Sequence, residues 1–525
     1  MSTIVLDSCS WGTTKLSNYG SELCLRNYKK HINKNNGKQI IVNLSFKKMV
    51  TFIIAIAALI IGYLIYGKFI AGFFGEDANR ETPAYRLNDG VDFIPMPRWK
   101  VFMIEFLNIA GLGPIFGAIL GAMYGPWAYV WIVVGCVFMG SVHDYFSGML
   151  SVRNNGASLP ELVGKYLGTG MQQFLRVFTI VLLIFVGVAF VTGPAGLLEK
   201  ITGGGKLWWL YGIFAYYLIA TLLPINKIIG KIYPVFGLAL LVMAVGIAVA
   251  MIWQGATGEM DMMELVPANL KNWHHTPDQN ILIPMMFIVI SCGAISGFHS
   301  TQAPIMARCL KNEKQGRQVF YGAMIAEGIV AIIWATAAMN YFGDAESLNT
   351  KMVEIGHNPA EVVDMISRSW LGRVGAVFAI VGVIALPIST GDTAFRSARL
   401  TVADIFNFKQ KTIGNRLIVS IPLFVLGFAL SQLDFATVWK YLGLSNQVLS
   451  AVVLWMGAAY LIQNRKNHWL LSIPAAFMTF IVVSYLLIAP YKNGGLALNP
   501  ELSYWTGVGV AMLVMGYFVW YYRKR

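Results

Sequence analysis

The chain has 525 residues, 56% of them hydrophobic and only 13% charged, with 31 Phe and 15 Trp. That composition excludes a string of soluble domains and implies a polytopic membrane protein. The formal net charge of +14 is distributed over alternate loops rather than gathered into a patch, so it reads as a topology signal and implies no nucleic-acid partner.

In chain order, residues 1–48 are polar, basic and Asn-rich, without an apolar run of spanning length or a secretory h-region. They are expected to be disordered or a mis-called start ahead of Met49. Apolar runs of membrane-spanning length follow at 50–69, 104–124, 128–152, 174–195, 207–223, 233–253, 281–306, 320–341, 374–395, 415–433, 436–461, 469–490 and 504–522, about thirteen spans in all. Segment 49–75 holds the first, and 469–525 holds the last two with a short basic tail. With loop 80–100 placed inside, Arg153, Lys165, Arg176, Lys227, Lys231, Arg308, Lys311, Arg317, the 396–416 segment, Lys466 and Arg523 share its side, while loops 254–280 and 342–373 are acidic. The positive-inside rule then puts the carboxyl terminus in the cytoplasm and a chain start at Met49 outside.

Two of the spans are broken by glycine. One carries Ala110-Gly111-Leu112-Gly113-Pro114, the other Ser291-Cys292-Gly293-Ala294-Ile295-Ser296-Gly297-Phe298-His299. Backbone freed from helical hydrogen bonds at membrane depth is tolerated only where protein or a water-filled cavity satisfies it, and paired breaks in two halves point to a transporter's binding site. The competing reading is close packing: Gly113, Gly117, Gly121 and Gly125 recur every four residues, as do Gly293 and Gly297, and small residues at that spacing let helices approach without unwinding. Pro114 and the polar run from Ser296 to Gln302 favour discontinuous helices.

Ionisable groups inside spans are costly and therefore functional candidates; here they are Glu105, His143, Asp144, His299, Glu327 and Asp392. The alternative for each is an interhelical hydrogen bond or a rim ion pair. In Ser389-Thr390-Gly391-Asp392-Thr393, three hydroxyls and a carboxylate beside Pro387 offer hard oxygen ligands for Na⁺ or a carrier for H⁺. Equally consistent is a local Asp392–Arg396 pair at i, i+4. Gly443-Leu444-Ser445-Asn446-Gln447 places two amides within a span, to read a carboxylate or peptide group or to join helices. His274 and His275 lack the spacing of a metal helix and read as solvated; Glu161 reads as part of a capping box with Ser158. Cys9, Cys24, Cys136, Cys292 and Cys309 show no disulfide or metal spacing, and no phosphate-binding Gly-x-x-x-x-Gly-Lys loop is present.

The run Thr82-Pro83-Ala84-Tyr85-Arg86-Leu87-Asn88-Asp89-Gly90-Val91-Asp92-Phe93-Ile94-Pro95 resembles the loop after the first span in the carbon starvation protein A (CstA) family. Residues 109–117 are similar to that family's first broken helix and 292–299 to its second. Asp144 with Arg153, Leu159 and Glu161, Asp392-Thr393 with Arg396, and the 443–447 insert also match. The resemblance runs from about 50 to 461. It implies an inner-membrane importer of short peptides or pyruvate, tied to nutrient limitation, with a LeuT-type five-plus-five inverted repeat. Fitted here, the repeats are 104–253 and 281–461. Glu105-Phe106 stands where the family more often has His-His, and His143 where Gln is usual, so substrate and ion do not carry over directly.

The expectation is an all-α transporter of small carboxylate-bearing solutes, with no cofactor and no enzymatic activity. Substrate is assigned to Gly111, Leu112, Gly113, Gly293, Ser296, Gly297, His299, Asn446 and Gln447. Coupling is assigned to Asp144, Glu327, Ser389, Thr390, Asp392 and Thr393, with H⁺ preferred and Na⁺ the alternative. The rival is a nutrient sensor with a transporter-like domain, signalling through a separate partner.

Overall fold

Long apolar runs in lipid must satisfy their backbone polar groups internally, and every regular element among the described residues is a helix. The computed structural model describes residues 49–89, 93–222, 225–380, 382, 384, 386–410 and 412–523. The tail 1–48, expected to be disordered or a mis-called start, lies outside them.

The principal helices begin with α1 (Val50–Phe74), followed by the bent pair α2 (Arg98–Ala110) and α3 (Gly113–Ala122), then α4 (Trp127–Arg153). Next come α5 (Leu159–Leu167), α6 (Thr169–Thr202), α7 (Lys206–Leu222) and α8 (Ile225–Thr257). A second interrupted pair is α9 (Leu282–Met286 running on through Phe287–Val289) and α10 (His299–Ala307). They are followed by α11 (Glu313–Tyr341), α12 (Ala345–Glu354), α13 (Pro359–Ile380) and α14 (Leu386–Ile405). The chain closes with α15 (Ile413–Leu430), α16 (Phe435–Gln463), α17 (Trp469–Ile488) and α18 (Pro500–Arg523).

Nine of the described helices are long and apolar enough to cross a membrane, or ten with α2–α3 taken as one bent span. The other three apolar runs fall on α7, which has 17 residues, on the half-helices α9 and α10, and across α13 and α14. In α13 the helix is kinked at Gly372 (φ 59°, ψ −139°).

Burial sorts the helices by position. In the apolar windows of α11 and α16, 89% of residues are buried, against 17% in α15 and 22% in α1 and α18. The first two are therefore central and the last three present apolar side chains to lipid. Around the centre, α4 packs against α10, α11 and α16, and α10 and α11 pack against the bent pair α2–α3.

The loops gather on two faces. On one, the Glu264 carboxylate accepts the Thr51 N–H at 2.7 Å, tying the start of α1 to the 258–281 loop. Asn349 of α12 is joined to the same loop at His275 N and Trp273 O. On the other face, Arg153 at the end of α4 meets Glu313 at the start of α11 and the Gly75 carbonyl after α1. Lys466 caps the end of α1 through the Phe73 and Phe74 carbonyls. The acidic and basic loop sets read from the sequence thus lie on opposite faces. The Ser158–Glu161 capping box forms on α5, the Glu161 carboxylate accepting the Ser158 N–H at 2.9 Å.

Candidate functional site: the paired helix breaks

The first break is made by Gly111, whose φ of 39° and ψ of −133° no residue with a Cβ adopts comfortably. It turns α3 by 49° from α2. The second break is longer: α9 stops at Val289 and α10 starts at His299, with Gly293 at φ 88° between them. A nine-residue gap of this kind exposes peptide groups at membrane depth, and each neighbour supplies a partner. The indole N–H groups of Trp131 and Trp439 donate to Ile290 O (3.1 Å) and Val289 O (3.2 Å). Glu327 accepts the Gly293 N–H at 3.1 Å. Asn446 accepts from Gly297 N–H through its carbonyl (3.2 Å) and from Phe298 N–H through its side chain (3.1 Å). The Gln447 amide donates to Phe287 O at 2.7 Å.

The two breaks are in contact with each other. A Cβ on Gly113 would lie 2.2 Å from the Cys292 Cβ, one on Gly117 3.2 Å from Val289 O, and one on Gly121 2.3 Å from Ile290. The four-residue glycine spacing and the helix breaks, opposed as readings of the sequence, are both present: the glycine face of α3 is what seats the second break. Leu112, at the turn, is fully buried. Ser296 accepts a hydrogen bond from Cys292 Sγ at 3.6 Å.

Along the far side of the second break runs a chain of buried ionisable groups. His143 Nδ1 and Asp144 Oδ1 of α4 are 2.7 Å apart, and Asp144 Oδ2 is 2.9 Å from His299 Nδ1 at the start of α10. His299 Nε2 in turn lies 3.4 Å from Glu327 Oε2 of α11. All four side chains are without solvent exposure. Glu105 of α2 is buried, with neither carboxylate oxygen hydrogen-bonded, and lies within electrostatic range of Asp144 and His299. The helices α3, α4, α9 and α11 each carry a π-helical turn: Gly113–Gly117, Cys136–Gly140, Leu282–Met286 and Arg317–Tyr321. Such bulges re-aim side chains and are common at functional sites.

Cys292, His299 and Glu327 bring ligand-type atoms within 4.8 Å of one another. Within this group Cys292 Sγ is 3.6 Å from Ser296 Oγ, and His299 Nδ1 is hydrogen-bonded to Asp144, which leaves Nε2 facing Glu327.

The residues assigned from sequence fall into two groups. Gly111, Leu112, Gly113, Gly293, Ser296, Gly297, His299, Asn446 and Gln447 line or hold the breaks, with Asp144 and Glu327 directly behind. The 389–393 group lies on α14. There Thr390 is beside the first break, its Cγ2 3.8 Å from where a Cβ on Gly111 would stand. Asp392 turns away toward Arg396, 3.7 Å off, whose guanidinium also donates to Ala220 O of α7. Thr393 is half-buried, and Ser389 lies within the helix backbone. Trp131, Trp439 and Cys292 carry no signal in sequence that separates them from ordinary span residues. His274, read as solvated, is instead half-buried, tilted against Tyr124 (5.0 Å) and stacked on His275 (4.5 Å).

Solved structures share this architecture. A variant of the Eremococcus coleocola manganese transporter aligns with a TM-score of 0.54 at 12% identity, covering 83% of this chain and 98% of that one. Mhp1, a nucleobase-cation-symport-1 family transporter in a closed conformation, aligns with a TM-score of 0.50 at 15% identity, covering 81% and 92%. At those identities the likeness is one of fold. With the paired breaks, it defines an all-α polytopic membrane protein with a LeuT-type fold.

The chain belongs to the carbon starvation protein CstA family, whose pattern matches residues 47–204, 193–374 and 369–485. An uncharacterised membrane protein of Haemophilus influenzae is 44% identical over 57% of this chain and 93% of its own length. The peptide transporter CstA of Bacillus subtilis is 26% identical over 90% and 95%. The pyruvate/proton symporter BtsT of Escherichia coli is 26% identical over 54% of this chain and 48% of its own.

Proposed function

We propose that the chain imports small carboxylate-bearing nutrients, short peptides or pyruvate, across the inner membrane in symport with protons, as part of a response to carbon starvation. The observation that carries this reading is the Asp144–His299–Glu327 chain ending on the Gly293 N–H. A carboxylate that holds the backbone of a helix break changes its grip when it is protonated. Neutral Glu327 accepts more weakly from Gly293 and no longer attracts an imidazolium at His299, so the second break is freer to rearrange. Asp144, between two imidazoles, passes the proton along the row, and Glu105 is a further acceptor at its edge. The solute carboxylate sits at the breaks, toward which the first turns of α3 and α10 direct the positive ends of their dipoles. Leu112, Ile115 and Phe298, all buried, exclude water from it.

The names of the relatives support a solute of this class, and loop charges support an orientation with the Arg153 face in the cytoplasm. Sodium coupling is the second reading, favoured by Thr390 at the first break. The deciding experiment is uptake of labelled pyruvate and dialanine into sodium-free proteoliposomes under an imposed pH gradient. Accumulation that Asp144→Asn abolishes, while leaving solute exchange intact, supports the proposal. Strict sodium dependence with full accumulation in that variant would transfer coupling to the hydroxyls of α14.

A further inference from the structure

Two lysines face a cavity that the coupling chain does not use. It has a volume of about 240 Å³ and opens on the face that carries the start of α1; His274, His357, Asn280, Lys440 and Lys492 contribute to its wall. Its floor includes Val289 and Trp439. Val289 is the last residue of α9, its carbonyl holds the Trp439 indole, and Gly117 of α3 packs on that carbonyl. The cavity therefore ends against the back of both helix breaks.

Its charge is unbalanced. Lys440 Nζ donates a long hydrogen bond to Asn280 Oδ1 at 3.5 Å. Asp434, the carboxylate on the wall, is engaged at the start of α16: Oδ1 accepts the Thr437 N–H at 2.9 Å and Oδ2 the Thr437 hydroxyl at 2.6 Å. His274 is held neutral at ordinary pH, its pKa lowered to about 3 by burial and then by His275, Lys440 and His357. Burial lowers His357 as well. Two ammonium groups thus face one capped carboxylate, with neutral imidazoles and amides around them as hydrogen-bonding groups. A half-buried lysine whose neighbouring carboxylate, Asp434, is already capped and outside ion-pair distance is an anion site in waiting, since the desolvation already suffered makes an incoming charge partner worth more than at the surface.

We propose that this cavity is an access site for the carboxylate group of the transported solute, with Lys440 as its charge partner and Lys492 at the mouth. The assignment rests on the proposed carriage of carboxylates and adds to it a second binding position, ahead of the breaks. A monocarboxylate or the C-terminal end of a dipeptide fits the space; the bulk of a longer peptide would extend past Lys492.

The test uses the purified full chain in detergent with Lys492→Cys, Cys9→Ser and Cys24→Ser; Cys136, Cys292 and Cys309 are buried. Alkylation of the new thiol by a maleimide is timed with pyruvate, dialanine, methyl pyruvate or dialanine amide present. We expect pyruvate or dialanine to slow alkylation at least threefold, the two uncharged compounds to have no effect, and Lys440→Met to abolish the protection without altering thermal unfolding. No protection, equal protection by the uncharged compounds, or protection that survives Lys440→Met would overturn the proposal. Because the assay needs no gradient, it stands apart from proton coupling. Protection with uncoupled transport keeps the access site and removes the coupling scheme; coupled uptake without protection does the reverse.

Discussion

Gly113 and Cys292 stand opposite each other so closely that a methyl group on the glycine would lie 2.2 Å from the cysteine Cβ and 2.5 Å from its sulfur. One belongs to the break that opens α3, the other to the break that precedes α10. Movement in either is therefore transmitted to the other by steric contact, without a hydrogen bond between them. This gives the proposed coupling a mechanical route: Glu327 holds Gly293, Gly293 adjoins Cys292, and Cys292 leans on Gly113.

Replacing Gly113 by Ala should accordingly stop transport, with overpacking of about 1–3 kcal/mol seen as a lower unfolding temperature in detergent. Adding Cys292→Gly removes the opposing atoms and should restore part of both. A double variant no better than Gly113→Ala alone would show that the contact is not what the methyl group disturbs.

Glu327 separates two roles by substitution. Gln retains an oxygen for the Gly293 N–H but cannot carry a proton, so Glu327→Gln should unfold near the wild-type temperature, exchange solute and fail to accumulate it against a pH gradient. Ala leaves a buried N–H unpaired, at a cost of about 1–3 kcal/mol, and should lower stability as well. Equal stability of the two variants would count against the hydrogen bond, and accumulation by Glu327→Gln against the proton role.

The spans were legible because lipid allows the backbone so few solutions: among the described residues the apolar runs fall on helix except at the two breaks. The breaks were legible from Gly111, Gly113 and Pro114 and from the polar run after Gly293. Asp144, His299 and Glu327 each stood out because a charge inside a span is costly. Their meeting was not legible, since 155 positions separate Asp144 from His299 and nothing local names the partner. Asp392 illustrates the converse. Its i, i+4 neighbour Arg396 was visible in sequence, whereas the side of α14 on which the pair would lie depended on the packing of α6 and α7. Trp131 and Trp439 were hidden because tryptophan is an ordinary residue in a span, and only the fold brings their N–H groups to the carbonyls of the second break.

On the basic face, Arg153 makes a two-pronged contact with Glu313 (3.2 and 3.0 Å) and also donates to Tyr460 (2.9 Å) and Gly75 O (2.6 Å). The Glu313 side chain is fully buried. Removing one partner of such a pair strands the other charge, typically at about 3–5 kcal/mol. Arg153→Gln should therefore lower the unfolding temperature strongly, and Arg153→Lys substantially, because an ammonium cannot reproduce the fork. Glu313→Gln, which keeps one acceptor oxygen and strands only the partly exposed Arg153, should be milder than Arg153→Gln. The reverse order in thermal unfolding would mean that the carboxylate, not the arginine, is the better solvated member.

The histidines of the 258–281 loop give a pH signature of stability. Burial, then His275, Lys440 and His357, lower the His274 pKa from its usual 6.5 to about 3. The unfolded chain protonates this ring as pH falls through 6.5, while the folded chain does not until near 3, so the unfolded state binds the extra proton over that interval. Stability contributed by neutral His274 is thus fully present above pH 6.5, declines steadily as pH falls from there, and levels off below about 3. Unfolding temperatures measured in detergent from pH 7.5 to 4.5 should fall on acidification, and His274→Asn, which keeps hydrogen-bonding capacity without a titrating ring, should flatten that slope. His357, lowered by the same causes, acts in the same direction, so the slope should diminish rather than vanish. An unchanged slope in His274→Asn would show that this ring is free to protonate in the folded chain and that its packing against Tyr124 and His275 does not hold it neutral.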